Sequence, residues 1–209
     1  MERYKTVIKE AEAEQVIDKS RFIAYVKPVD SKEAADSFIA DIRKKHKGAN
    51  HNVPVMVIGD KFQLQWASDD GEPSGTSGAP MLQMLVKEGV TNVVIVVTRY
   101  FGGIKLGTGG LVRAYTSSAK LGLSAAGICR VVDMSTITVN LNYSYLSKIQ
   151  NISSHENFEI REISYADSVT MQIASVPENI NHVKALLSDI SAGTCDIVSE
   201  TEELLKIPV

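Results

Sequence analysis

The second half of the chain carries the plainest hydrophobic rhythm. Between residues 135 and 141, Ile137, Val139 and Leu141 alternate with polar positions, the period-two pattern of a half-buried strand. Tyr145, Leu146, Ile149 and Ile152 then recur at helical spacing, with Asn142 placed to cap them. Residues 158–165 and 168–175 read as a hairpin turning at Ala166 and Asp167. Ile180, Val183, Leu187 and Ile190 mark another helix, with Pro177 near its first turn. A last strand is expected over 195–203. The order β-α-β-β-α-β predicts a ferredoxin-like domain over residues 134–209.

The first half is built differently. Short strands are expected around 6–9, 15–18 and 21–27. Ala35, Phe38, Ile39 and Ile42 then form one helical stripe. Asp30 and Glu33 resemble a capping box at its start. Arg43, Lys44, Lys45 and Lys47 crowd its end, where the helix dipole favours cations, and Gly48 is the expected stop. Two strands follow over 53–58 and 62–66, then a polar loop over 68–77 and a helix to Glu88 closed by Gly89. Residues 93–98 are continuously apolar and are predicted to be a central strand. A final helix runs from about Thr108 to Gly127. The prediction is an α+β protein with an N-terminal domain over 1–130.

Composition narrows the class. Hydrophobic residues make up 44% of the 209 positions and charged residues 22%, ordinary values for a folded chain. The first 14 residues are charged throughout and lack an apolar signal core. The apolar run 93–97 is far too short to span a bilayer. A cytoplasmic location without membrane attachment is expected. Cys129 and Cys195 are far apart and in no metal-ligand spacing, so they read as reduced and structural.

Charge is divided unevenly. Residues 1–130 carry 18 basic against 14 acidic side chains, a net +4. Residues 131–209 carry 4 against 11, a net −7. The first half therefore suits an anionic partner, and the acidic second half a protein partner, unless both are ordinary solvated surface.

The candidate chemistry lies between the two predicted elements that flank residues 99–113, Arg-Tyr-Phe-Gly-Gly-Ile-Lys-Leu-Gly-Thr-Gly-Gly-Leu-Val-Arg. Gly102, Gly103, Gly107, Gly109 and Gly110 fall within nine residues. Glycine lets backbone approach a ligand closely, and the free N–H groups of a helix start attract anions. Arg99, Lys105 and Arg113 surround that start and suit a phosphate, a carboxylate or a nucleic-acid backbone. Tyr100 and Phe101 are positioned to stack on bases or simply to pack. The alternative is a strand–helix turn whose glycines serve packing.

Known nucleotide motifs do not fit. Gly107 is followed by Thr108 where a Walker loop needs lysine, and the dinucleotide fingerprint fails at Val112. In the preceding loop, Asp69, Asp70 and Glu72 are residue types for Mg²⁺, without the spacing of a calcium loop. That loop, with Thr76, equally suits a turn capping the next helix through Ser77. Ser77 lacks the last glycine of a hydrolase elbow. His46 and His51 are five apart, the wrong spacing for zinc on one helix face. His51 is either structural or part of the site. No catalytic constellation, metal site or cofactor is predicted.

The stretch 69–76, Asp-Asp-Gly-Glu-Pro-Ser-Gly-Thr, and above all the long glycine motif through Ala114 and Tyr115, resemble the signature of the IMPACT family. Lys19-Ser20-Arg21-Phe22-Ile23 and His51-Asn52 resemble its upstream motifs, although Val53 stands where the family pattern has a cysteine. The resemblance covers most of residues 1–130, and the acidic domain is similar to the extra C-terminal domain of bacterial members. It implies a ribosomal-protein-like β-α-β domain followed by a ferredoxin-like one, together similar to the last two domains of the translocating elongation factor. Eukaryotic relatives act in translational control by competing for the activator of an initiation-factor kinase, a pathway bacteria lack. The expected function is thus non-catalytic association with RNA or the ribosome. An enzyme acting on a small phosphorylated or carboxylated metabolite and a protein-partner adaptor are the alternatives.

Overall fold

A computed structural model describes residues 2–209. The chain forms two compact units, Arg3–Val131 with Lys206–Val209, and Val132–Leu205 with Glu2.

The N-terminal unit contains β1 (Glu2–Val7) from Arg3 onward, β2 (Ala11–Ile17), β3 (Ser20–Pro28), α1 (Lys32–Lys45), β4 (His51–Ile58), β5 (Leu64–Ala67), α2 (Gly78–Glu88), β6 (Val93–Tyr100) and α3 (Gly107–Ala126). Its sheet has the order β2-β3-β6-β4-β5, with antiparallel neighbours throughout. The apolar run of β6 is central because both faces are covered. Val93, Ile95 and Val97 enter one core with residues of α2 and α3, while Val94 and Val96 enter another with α1. Double burial is commonest in parallel sheets, but helices on both sides create it here too.

Two details of α1 correct the sequence expectation. Ser31, not Asp30, is the N-cap and accepts from the Ala34 amide at 3.4 Å. Ala34 therefore takes the third helical position, and the Asp30–Glu33 capping box does not form. The helix stops at Lys45 with His46 as its C-cap, before Gly48. His46 is held there by Tyr25 Oη at 2.7 Å from Nε2 and Tyr100 Oη at 2.9 Å from Nδ1.

The C-terminal unit is built from β7 (Ile128–Leu141) from Val132 onward, α4 (Tyr143–Ile152), β8 (Glu159–Tyr165), β9 (Val169–Ser175), α5 (Pro177–Ile190) and β10 (Asp196–Pro208) as far as Leu205. β9 pairs antiparallel with β7 and β8, and β10 pairs with β7. This is the expected ferredoxin-like arrangement. Ile137, Val139, Ile149, Ile173, Val183 and Leu187 share its core. Asn142 caps α4 by accepting from the Ser144 amide at 3.0 Å. Both β7 and β10 outrun the predicted strands.

Candidate functional site

Strand alternation sorts the end of β6. Arg99 pairs across the sheet with Phe22 of β3 and His51 of β4. Its guanidinium lies 5.3 Å from the Phe22 ring and 5.4 Å from the Phe101 ring. Nη1 donates to Glu72 Oε1 at 2.7 Å, and Nη2 to Ser20 Oγ at 3.3 Å. Tyr115 of α3 donates its hydroxyl to the same Glu72 oxygen at 2.7 Å and meets Phe22 edge-on. His51 Nε2 stands 3.7 Å from that oxygen. The Arg99 and Glu72 side chains are buried, so the pair is stable only because donors surround the carboxylate. Burial first, then the hydrogen bond to Glu72 and its charge, push the Tyr115 phenol up, which keeps it a donor.

The acidic loop is a scaffold. Asp69 Oδ1 accepts from Ser77 N at 3.1 Å, Gly78 N at 2.9 Å and Ser77 Oγ at 2.6 Å, and its Oδ2 from Gly75 N at 2.8 Å. Asp69 thus caps α2 from eight residues upstream, while Ser77, the N-cap by position, makes no side-chain cap bond. Burial works to raise the Asp69 carboxyl, but these hydrogen bonds outweigh it and hold it below the usual range. Asp70 Oδ2 accepts from Asn52 N at 2.6 Å and its Oδ1 from Arg43 Nη2 at 2.9 Å. The Asp70 carbonyl lies 2.8 Å from His51 Nδ1. Thr76 donates its hydroxyl to Pro73 O at 2.7 Å and tightens the turn. The three acids face different partners, and among the described residues no group of three or more His, Cys, Asp or Glu is placed to hold a metal ion.

The glycine loop is shaped by backbone proximity. A Cβ at Gly102 would lie 1.9 Å from Lys19 O, so no other residue fits without moving the chain. Phe101 N donates to Asn50 Oδ1 and Gly102 N to Ser20 Oγ, fixing the loop to its neighbours. Gly107 then enters α3 with φ +68°. The start of α3 has no side-chain cap and no acid in its first turn, and Gly107, Thr108 and Gly109 are exposed. Lys105 and Arg113, both exposed, flank it, and among the described residues neither has an ion-pair partner. A cavity of about 400 Å³ opens beside this start, lined by Glu72, Pro73, Arg99, Phe101 and Lys105 and by the first residues of α3.

The structure therefore brings Glu72, Arg99, Lys105 and Gly107 to one cavity, with His51 3.7 Å from Glu72 and Arg113 further along α3. Gly103, Gly109 and Gly110 do not line it. Tyr100 points to the opposite face, where it binds His46 and packs with the α1 core. Asp69 and Asp70 support the loop. Sequence reasoning missed Ser20, the hydrogen bond from Tyr115, and Leu106 and Leu111 in the cavity wall. The side-chain alternation of β6 was the available signal for separating Arg99 from Tyr100. Val53 is fully buried in the α2–α3 core.

An antiparallel α+β unit carrying this glycine loop, followed by a ferredoxin-like unit, defines a two-domain class of protein. The Impact N-terminal domain matches residues 18–123, and Domain of unknown function (DUF1949) matches residues 139–194. The chain belongs to the IMPACT family. It is 40% identical over 194 residues to IMPACT family member YvyE of Bacillus subtilis (strain 168), covering 93% of this chain and 89% of that protein. IMPACT family member YigZ of Escherichia coli (strain K12) is 35% identical, covering 89% of this chain and 92% of that one. Protein IMPACT of Mus musculus is 37% identical over 94 residues, 43% of this chain and 29% of its own length. A crystal structure of a hypothetical protein superposes with TM-score 0.60 at 33% identity, covering 95% of this chain and 98% of that one. Among the described residues no helix is long and apolar enough to cross a membrane.

Proposed function

We propose that this is a non-catalytic, cytoplasmic RNA- or ribosome-associated protein that grips nucleic-acid phosphate at the start of α3. One observation carries this reading. The positive end of a 20-residue helix is open and uncapped, has no acid in its first turn, and is flanked by Lys105 and Arg113. Cations at a helix start are the reverse of what stabilises an isolated helix, and a bound anion cancels the cost. The net +4 of residues 1–130 adds long-range attraction for a polyanion.

Cosedimentation with ribosomes and binding to single-stranded RNA across a salt series test it. Affinity is expected to fall with salt, and Lys105→Ala with Arg113→Ala to weaken binding and reduce the log–log slope by about 1 per lost phosphate contact. Binding indifferent to salt, or none at low salt, would sink the reading.

The largely apolar wall of the cavity favours a second reading, an enzyme or sensor for a small phosphorylated or carboxylated metabolite. Thermal-shift screening of such metabolites, with and without Mg²⁺, separates the two. Stabilisation by a metabolite together with indifference to RNA would select the second.

A further inference from the structure

The cavity beside α3 asks for more than an anion. Glu72 lines it with one oxygen committed, since Oε1 receives both Arg99 Nη1 and Tyr115 Oη. Among the described residues no hydrogen bond reaches Oε2. An ionised carboxylate only accepts, so the group that meets it must donate. A phosphodiester, which has no O–H, cannot, and would be repelled. Arg99 lines the same cavity, is 5% exposed, and keeps a buried Nε N–H without a hydrogen-bond partner. Glu72 Oε2 is thus free of protein donors, and Arg99 Nε, buried without a partner beside the same open helix start, is the kind of deficit a ligand removes. Phe101, 45% exposed, together with Pro73, Leu106 and Leu111 makes the remaining wall apolar.

We propose that this cavity takes one unpaired ribonucleotide of an RNA strand, with phosphate at the start of α3 and the 2′-hydroxyl donating to Glu72 Oε2. The inference rests on the phosphate reading above and narrows it to RNA over DNA. Ribose sets a hydroxyl donor beside a phosphate in every nucleotide, and deoxyribose does not. The cavity volume of about 400 Å³ suits a single nucleotide and no duplex. The base lies against Phe101, a contact that tolerates any base because each has a π face. The ligand is therefore a loop, an end or a single strand, read by its sugar rather than its sequence.

The test holds the protein constant and changes the sugar. A short labelled oligouridylate is compared with its 2′-fluoro and 2′-deoxy counterparts by fluorescence anisotropy, using the full chain at low salt. Base and phosphates are identical in all three. The 2′-fluoro strand keeps the ribose-like pucker while losing the donor. Both analogues are expected to bind roughly tenfold to a hundredfold more weakly, the range for a hydrogen bond to a charged group. Lys105→Ala lowers affinity for all three alike and leaves the ratio intact. Equal, salt-sensitive binding of the three strands overturns the sugar reading and leaves the phosphate reading standing. Failure of all three to bind overturns the phosphate reading itself.

Discussion

Arg99 and Glu72 lie 27 positions apart in sequence and meet at 2.7 Å with both side chains buried. This pair ties the acidic loop to the end of β6 and so assembles the cavity from two separate motifs. Removing one partner strands a charge in the interior. Arg99→Ala or Glu72→Ala is expected to cost about 3–5 kcal/mol, and Arg99→Leu with Glu72→Leu to cost less than the sum of the corresponding single changes. Urea denaturation of the single and double variants measures both. Additive losses would show that the two side chains do not depend on one another.

Asp69 closes the start of α2 with four hydrogen bonds. Asp69→Ala leaves the Ser77 and Gly78 amides without that acceptor, and a loss of about 1–2 kcal/mol is expected at neutral pH. The Asp69 carboxyl is depressed in the folded state relative to its ordinary 3.8. Its stabilisation is therefore present above that value and lost as pH falls through the folded value. Denaturation curves of wild type and Asp69→Ala should converge in strong acid. A constant gap would mean that Asp69 acts by packing instead.

Much of the fold was legible because it rests on local pattern. The alternation of Ile137, Val139 and Leu141 announces a strand, and Ala35, Phe38, Ile39 and Ile42 announce the buried face of α1. The α1 boundary slipped because Asp30 and Ser31 are both N-cap residue types, and only the backbone decides between them. The candidate site was legible as a location, since five glycines beside a buried strand rarely serve one turn alone. Its internal wiring was not. The partners of Glu72 come from β6 and α3, and no periodicity reports contacts between residues 27 and 43 positions apart.

His46 supplies a pH test on the opposite face of the sheet. Burial first, then the positive charges of Lys45 and Arg21, lower its pKa from the ordinary 6.5. A neutral imidazole between the hydroxyls of Tyr25 and Tyr100 has one nitrogen to donate and one to accept. Below pH 6.5 the unfolded chain takes up a proton that the folded chain resists, so stability rises with pH across that window. It is present above 6.5 and lost as pH falls through the folded value. Denaturant midpoints from about pH 7.5 to 5.5 should drop for wild type, with a shallower fall for His46→Gln. Equal slopes would assign the dependence to another group.

Gly109 separates stability from binding. Nothing crowds it, since an added Cβ would meet only Arg113 Nη1 at 3.7 Å, an ordinary contact. It sits in the first turn of α3, where alanine is the better helix former and restricts the unfolded chain. Gly109→Ala is therefore expected to stabilise the fold by about 0.4–1 kcal/mol. Under the phosphate reading the same methyl stands where a ligand nears the exposed helix start, so RNA affinity should fall while stability rises. Gly102→Ala is the counterpart, because its methyl would strike Lys19 O and stability should drop. Thermal melts and a binding titration on both variants distinguish fold from function. A stabilised Gly109→Ala that binds as tightly as wild type would mean that the ligand stays away from this turn, and the glycine would then need another explanation.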